Sequence, residues 1–347
     1  MLDPRPPRDR GFHPLRIRRV VRETVDASSF VLDVPGALRD SFAYDAGQFC
    51  TFRTTIDGQQ YLRSYSMSSA PAVGDDMQVT VKRVPGGVVS NWMNDALVPG
   101  DIVEATCPAG VFVLSRDERD IVAYAGGSGI TPVFSILKTA LATSTRRVQL
   151  LYANRDNDSV IFGTELDALA ARYGDRLCVT HHLDVDQGFV DGDGVRRFLG
   201  NDGDGEHYIC GPGPFMDIVE LALRASGVPA DTIHIERFDP VEPPARDEVP
   251  DAAPDAVQVT VELNGRSATG AYRSGATILQ TARQLGLSPP SSCESGNCAT
   301  CMARIVEGAA TMHANNALTA DEVRDGWVLT CQGVPASPSV HVVYDYE

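Results

Sequence analysis

Four of the eight cysteines in this 347-residue chain form one pattern. Cys293, Cys298 and Cys301 follow the spacing C-x4-C-x2-C, and Cys331 comes further on. The residues around the first three are mostly Ser, Gly, Asn, Thr and Glu, which cannot pack a core. Thiolates at this spacing are the plant-type ligand set of a [2Fe–2S] cluster, in which each iron takes two sulfurs. Ser and Gly let backbone N–H groups turn toward the negatively charged sulfides without a side chain in the way. A zinc knuckle is the alternative, but it usually takes two C-x2-C pairs or a Cys/His mixture, and no His stands close to the loop. A cluster of this kind moves single electrons and needs a source for them.

Two glycine-rich turns suit phosphate. Gly86 and Gly87 precede a helical stretch with Ser90 in its first turn. Gly126, Gly127 and Gly129 lead from the apolar run "IVAYAG" into a second helix, with Ser128 and Thr131 at its entrance. Bare N–H groups at a helix start attract a pyrophosphate, and a glycine-rich strand-to-helix turn is where a doubly wound sheet receives a dinucleotide.

These turns, together with Arg63-Ser64-Tyr65-Ser66, resemble the ferredoxin–NADP reductase superfamily, whose flavin motif is Arg-x-Tyr-Ser/Thr. The resemblance implies that Arg63 meets flavin phosphate, Tyr65 packs on the isoalloxazine, and Ser66 reaches flavin N5. Those roles are chemically apt: guanidinium for phosphate, an aromatic face for a flat ring, a hydroxyl for N5 in either redox state. It further implies backbone contacts from Val81 and Lys82, and a Gly86-Gly87-x-x-Ser90 element on the pyrophosphate of FAD. "GGSGITP", Gly126 to Pro132, matches the family's nicotinamide dinucleotide turn. Cys210, Gly211 and Pro212 resemble its Cys-Gly-Pro motif, which would bring Cys210 near the hydride-bearing carbon. Glu236 and Phe238 fall where relatives carry a carboxylate and an aromatic near the flavin. Asn154 and Arg155 fall where relatives contact the adenosine ribose. Because Asp156 and Asp158 would repel a 2′-phosphate, NADH is expected over NADPH.

The elements that must position these groups are legible in outline. Before about position 115, short alternating runs such as "FVLDV", "GQFCTFRT" and "QVTVKRV" predict an antiparallel β-barrel. After it, apolar strands alternate with helical stretches, the pattern of a parallel sheet in an α/β domain. "DPVEPPARDEVPDAAPDA", residues 239–256, is Pro-rich and acidic and reads as an extended tether. The expected division is a flexible segment 1–14, an FAD-binding barrel 15–115, an NAD-binding α/β domain 116–238, the linker 239–256, and an α+β, β-grasp-like [2Fe–2S] domain 257–347. "DGDGVRRFLGNDGDGE" is expected to be a surface loop. Cys50, Cys107 and Cys178 are expected in the core, and Trp92 and Trp327 as packing residues. His181, His182 and His313 have no partner at ligand spacing.

Composition narrows the partners. A net charge of −16 argues against nucleic acid and anionic membrane and suits a partner with a basic docking face. No apolar run reaches the ~20 residues of a membrane span, and clustered thiols suit a reducing, cytoplasmic setting. The whole order resembles reductase components of bacterial two-component oxygenases. "VKRVPGGVVSNWMND" and "YANRDNDSVIF" are similar to reductases serving 3-ketosteroid 9α-hydroxylase, and the phenylacetyl-CoA type is close in texture. The implied activity is hydride transfer from NADH to FAD, then single electrons through the cluster to a terminal, Rieske-type oxygenase. The alternatives are an FMN-dependent phthalate-type reductase, a flavin/[2Fe–2S] redox sensor that does not turn over, and a zinc-bound interaction domain on a reductase remnant.

Overall fold

The computed structural model describes residues 11–238, 257–263, 265–291, 294, 296 and 298–344. The expected tether 239–256, most of the expected N-terminal segment and Cys293 lie outside the described residues.

The first unit is a six-stranded antiparallel sheet built from β1 (His13–Thr24), β2 (Ala27–Asp33), β3 (Phe49–Ile56), β4 (Gln59–Ser66), β5 (Gln78–Lys82) and β6 (Ile102–Ala105). Its order is β4-β3-β6-β1-β2-β5. A bridge between Met67 and Val79 brings the two outer strands together and closes the barrel. The period-two alternation of a strand explains both faces of β5. Val79 and Val81 fill the barrel core, while Thr80 and Lys82 point the other way, into a cavity. Helix α1 (Val88–Ala96) caps one end of the barrel, burying Val89 and Met93 against that core. Trp92 packs there too, as do the buried thiols Cys50 and Cys107.

The second unit is a parallel sheet, order β11-β10-β7-β8-β9, from β7 (Ile121–Gly126), β8 (Val148–Asn154), β9 (Leu177–Leu183), β10 (Glu206–Cys210) and β11 (Ile233–Glu236). It alternates with α2 (Ile130–Thr143), α3 (Gly163–Tyr173), α4 (Asp184–Gln187), α5 (Gly192–Leu199) and α6 (Gly213–Ala225). Tyr208, buried in β10, accepts a hydrogen bond from the Ser115 N–H at 2.7 Å and donates to Val113 O at 3.2 Å. Ser135 of α2 donates to Ser69 O at 2.6 Å, and Lys138 pairs with Asp75 at 2.5 Å. These bonds fasten the barrel unit to the α/β unit.

Two expectations fail here. The acidic stretch is not all loop: Asp191 accepts from the Gly194 N–H at 2.7 Å and starts α5, whose Val195 and Leu199 are buried. Gly192 and Gly194 in the first turn hide that helix from a propensity reading. Cys178 is exposed, not core, because β9 is an edge strand and alternation turns Cys178 outward while Leu177 is buried.

The third unit is a mixed sheet, order β13-β12-β16-β14-β15, from β12 (Gln258–Leu263), β13 (Arg266–Ala271), β14 (Met302–Met312), β15 (Trp327–Leu329) and β16 (Gly333–Tyr344). β12 and β16 run parallel, and the other pairs are antiparallel. Helix α7 (Ile278–Gln284) packs across it, its start fixed by a Thr277/Gln280 capping box. The short α8 (Ala320–Arg324) follows the sheet's outer loop. Trp327 packs beside the cysteine loop. Among the described residues, no helix is long and apolar enough to cross a membrane.

Candidate functional site

A cavity of about 600 Å³ lies where the barrel meets the C-terminal ends of β7, β10 and β11. Arg63, Ser64, Tyr65 and Ser66, at the end of β4, form one wall. Tyr65 leans on Phe52 with ring centroids 5.9 Å apart, which fixes its plane. Arg63 leaves its guanidinium toward solvent, one nitrogen donating to Leu62 O at 2.7 Å. Lys82 contributes its side chain to the wall. Val81 cannot, because its side chain is in the core; its carbonyl accepts from Asn94 Nδ2 at 3.0 Å.

Two helix starts face the same space. Gly86, at φ +71°, makes the turn that only glycine adopts freely, but is not itself in the wall. Gly87 to Ser90 are. Ser90 Oγ accepts from the Val84 N–H at 3.1 Å, tying the turn to the first turn of α1. On the other side, Gly126, Gly127, Ser128 and Thr131 present the start of α2. Close packing demands glycine at position 129, where a Cβ would stand 2.1 Å from Cys210 O. At Gly126 a Cβ would lie 2.8 Å from the Pro212 ring. Thr131 Oγ1 donates to Ser128 O at 3.1 Å and steadies the turn, while Pro132 is buried inside the helix. Each helix start carries roughly half a positive charge. Two of them on one cavity fit the phosphates of dinucleotides.

The far wall is β11. Glu236 is only 7% exposed, and Ser66 Oγ donates to its Oε2 at 3.1 Å. Burial pushes the Glu236 carboxyl up to about 8, and the Ser66 bond opposes this only in part. Phe238, Gly211 and Pro212 complete this side. Cys210 is wholly buried in the core of the parallel sheet, one residue behind the wall. Asn154 is buried at the end of β8, and Arg155 is exposed with its Nε 2.7 Å from Asp156 Oδ2; neither reaches the cavity wall.

Cys298, Cys301 and Cys331 are all buried. The Cys301 thiol bonds to Cys331 and faces Cys298, and those contacts together with burial push its pKa well up. Glu294, Gly296 and Ala299 all have positive φ, the last two flanking Cys298. Left-handed residues of this kind let a backbone curl into a concave, anion-binding turn, which suits a sulfide cradle. Gln332 ties the loop from below, donating to Glu294 O at 2.7 Å and to Cys331 Sγ at 3.8 Å. The donor set fits a cluster: three buried, grouped thiols whose thiolate forms burial and one another disfavour, and whose negative charge bound iron would offset. Cys298 also lines the cavity and packs on Phe49 of β3, so the thiol loop and the cavity share a wall.

Sequence reasoning missed Thr80 and Phe49 as wall residues. Thr80 was recoverable from the alternation in "QVTVK"; Phe49, which meets a loop from another domain, left no local signal.

Family models agree with this arrangement. Residues 14–114 match the oxidoreductase FAD-binding domain, 124–220 the oxidoreductase NAD-binding domain, and 261–336 the 2Fe-2S iron-sulfur cluster binding domain. The chain is 39% identical over 337 residues to the ferredoxin reductase component of 3-ketosteroid-9-alpha-monooxygenase from Rhodococcus rhodochrous, covering 95% of this chain and 96% of that one. It is 33% identical to a 1,2-phenylacetyl-CoA epoxidase component from Escherichia coli strain K12, covering 96% and 98%. A solved structure of phthalate dioxygenase reductase superposes with a TM-score of 0.60 at 27% identity, covering 96% of this chain and 98% of that one. Full-length identity and three domain matches in one order lead to a single conclusion: the chain belongs to the family of flavin- and [2Fe–2S]-dependent oxidoreductases that serve as reductase components of oxygenase systems.

Proposed function

We propose that this chain draws electrons from NADH and delivers them singly to a terminal Rieske-type oxygenase, with a 3-ketosteroid 9α-hydroxylase as the favoured partner. FAD, when bound, takes up a hydride and yields its electron pair one electron at a time to a plant-type cluster, a class near about −400 mV. The observation carrying this reading is one cavity whose wall includes two helix starts, the Ser66–Glu236 pair and Cys298.

The chain's own residues divide the work. Arg63, Gly87 and Ser90 hold flavin phosphate, and Tyr65 packs on the ring. Gly126 to Thr131 receive the nicotinamide dinucleotide, with Gly211 and Pro212 letting its ring approach. Ser66 orients the reacting edge, and Glu236, uncharged below about pH 8, avoids placing an anion beside an incoming hydride. Cys293, Cys298, Cys301 and Cys331 ligate the cluster. NADH is favoured over NADPH because Arg155 is already paired with Asp156 and has Asp158 nearby. A cytoplasmic setting suits thiolate ligands.

The steroid partner is favoured over a phenylacetyl-CoA epoxidase by identity, 39% against 33%. Purified protein should release FAD of the expected mass and reduce cytochrome c with NADH at a kcat/KM at least about tenfold above that with NADPH. A colourless protein, or one that holds flavin without turning over, overturns the reading in favour of a zinc module or a sensor.

A further inference from the structure

Oxidation of the donor releases a proton as well as electrons: NADH → NAD+ + H+ + 2 e−. The hydrogen enters the cavity within a hydride and must leave it as H+ once both electrons have gone to the acceptor. Ser66 and Glu236 can hold a proton, but the pair is enclosed. A longer row begins elsewhere in the wall. Thr80 faces the cavity and is 3% exposed. Its Oγ1 lies in hydrogen bonds of 2.7 Å to Ser68 Oγ and 2.7 Å to Ser29 Oγ. Ser68 and Ser29 are fully buried. Ser29 Oγ in turn donates to Glu23 Oε1 at 2.5 Å.

The bonds fix the direction of the row. A hydroxyl has one hydrogen and two acceptor sites. Ser29 commits its hydrogen to Glu23, so Thr80 must donate to Ser29, and Ser68 must donate to Thr80. Gln78 Nε2 donates to Ser68 at 3.1 Å, which agrees. Thr80 keeps one acceptor site for the cavity. Every hydrogen in the row therefore points toward Glu23. That carboxylate sits at an irregularity in the β1–β2 register between Arg22 and Thr24, a bulge that turns its side chain onto Ser29.

We propose that Thr80, Ser29 and Glu23 form the route by which the proton leaves the cavity, with Glu23 as its half-buried outlet. The proposal rests on the reading of the cavity as a flavin site. The surroundings of Glu23 suit an acceptor. Burial raises its pKa most, Glu165 of α3 raises it further, and the Ser29 bond opposes them. Lys138 of α2, paired with Asp75, faces Glu165, and Asp26 of the neighbouring turn is bonded by Thr24.

The test follows proton release with a pH-indicator dye in weak buffer, in anaerobic stopped flow with NADH and excess ferricyanide, alongside the return of the flavin band on reoxidation. In wild-type protein, proton release keeps pace with electron departure. In Glu23→Gln and, independently, Ser29→Ala, the ratio of proton-release rate to flavin-reoxidation rate falls about tenfold, within the range for a lost proton-transfer group. Thr80→Val does the same and Thr80→Ser restores the ratio, which a packing role would not require. An unchanged ratio in Glu23→Gln and Ser29→Ala, or a Thr80→Ser no better than Thr80→Val, overturns the route. Wild-type protein without a flavin band overturns the cavity reading, and the route with it.

Discussion

Glu236 keeps its proton because its carboxyl is enclosed and has a neutral hydroxyl, not a cation, as partner. This has a consequence for stability. At pH values below the ordinary carboxylate range, the group is protonated in folded and unfolded chains alike. As pH rises toward about 8, the unfolded chain gives up a proton that the folded site retains, so stability is lost through that window. A tenfold difference in proton affinity between the two states is worth about 1.4 kcal/mol, so the loss reaches a few kcal/mol. Glu236→Gln should therefore flatten the fall in urea-unfolding free energy between about pH 5 and about pH 8 in flavin-free protein. An equally steep fall in the variant would mean that Glu236 is charged in the folded state. The family resemblance placed Ser66 and Glu236 near one flavin, but their direct bond was not legible, because they meet only once the barrel and the parallel sheet are assembled.

At the scale of elements, the strand-to-helix turn after β7 is held by closeness. Gly129 has an ordinary helical φ, so alanine there is opposed by space alone. A Cβ 2.1 Å from Cys210 O must push the start of α2 away from the end of β10. Gly129→Ala should cost at least about 2 kcal/mol in thermal or urea unfolding and weaken NAD(H) binding, since overpacked sites have little room to relax. A variant of wild-type stability that binds NADH normally would refute the close-packing account. The turn was legible in advance, because its glycines, the strand before it and the helix after it form one local pattern. The cysteine loop was legible for the same reason. Helix α5 was not, because Gly192 and Gly194 mask an Asp191 cap that becomes visible only with its bond to Gly194. Cys178 was misplaced because burial depends on which strand ends the sheet, and strand order is not written in any one strand.

For the whole molecule, charge and shared walls matter most. A net charge of −16 should speed encounter with a basic oxygenase face and make it sensitive to salt. Electron delivery to the partner under second-order conditions should slow by about tenfold between low and physiological ionic strength, as screening shortens the reach of the field. A rate indifferent to salt would point to a docking face that does not use this charge. Within the chain, Cys298 stands in the cavity wall against Phe49, a contact between residues far apart in sequence. The domain order could be read from motifs, but that shared wall could not, since it depends on how the third unit seats on the first.

The joining of cavity and thiol loop is tested most directly by anaerobic addition of one equivalent of NADH to wild-type protein, followed by absorbance and by electron paramagnetic resonance. The flavin band should bleach first, and the signal of one reduced [2Fe–2S] cluster should then appear in the same sample. A flavin that bleaches while the protein stays free of any iron–sulfur signal, or a protein with no flavin band to bleach, would contradict it.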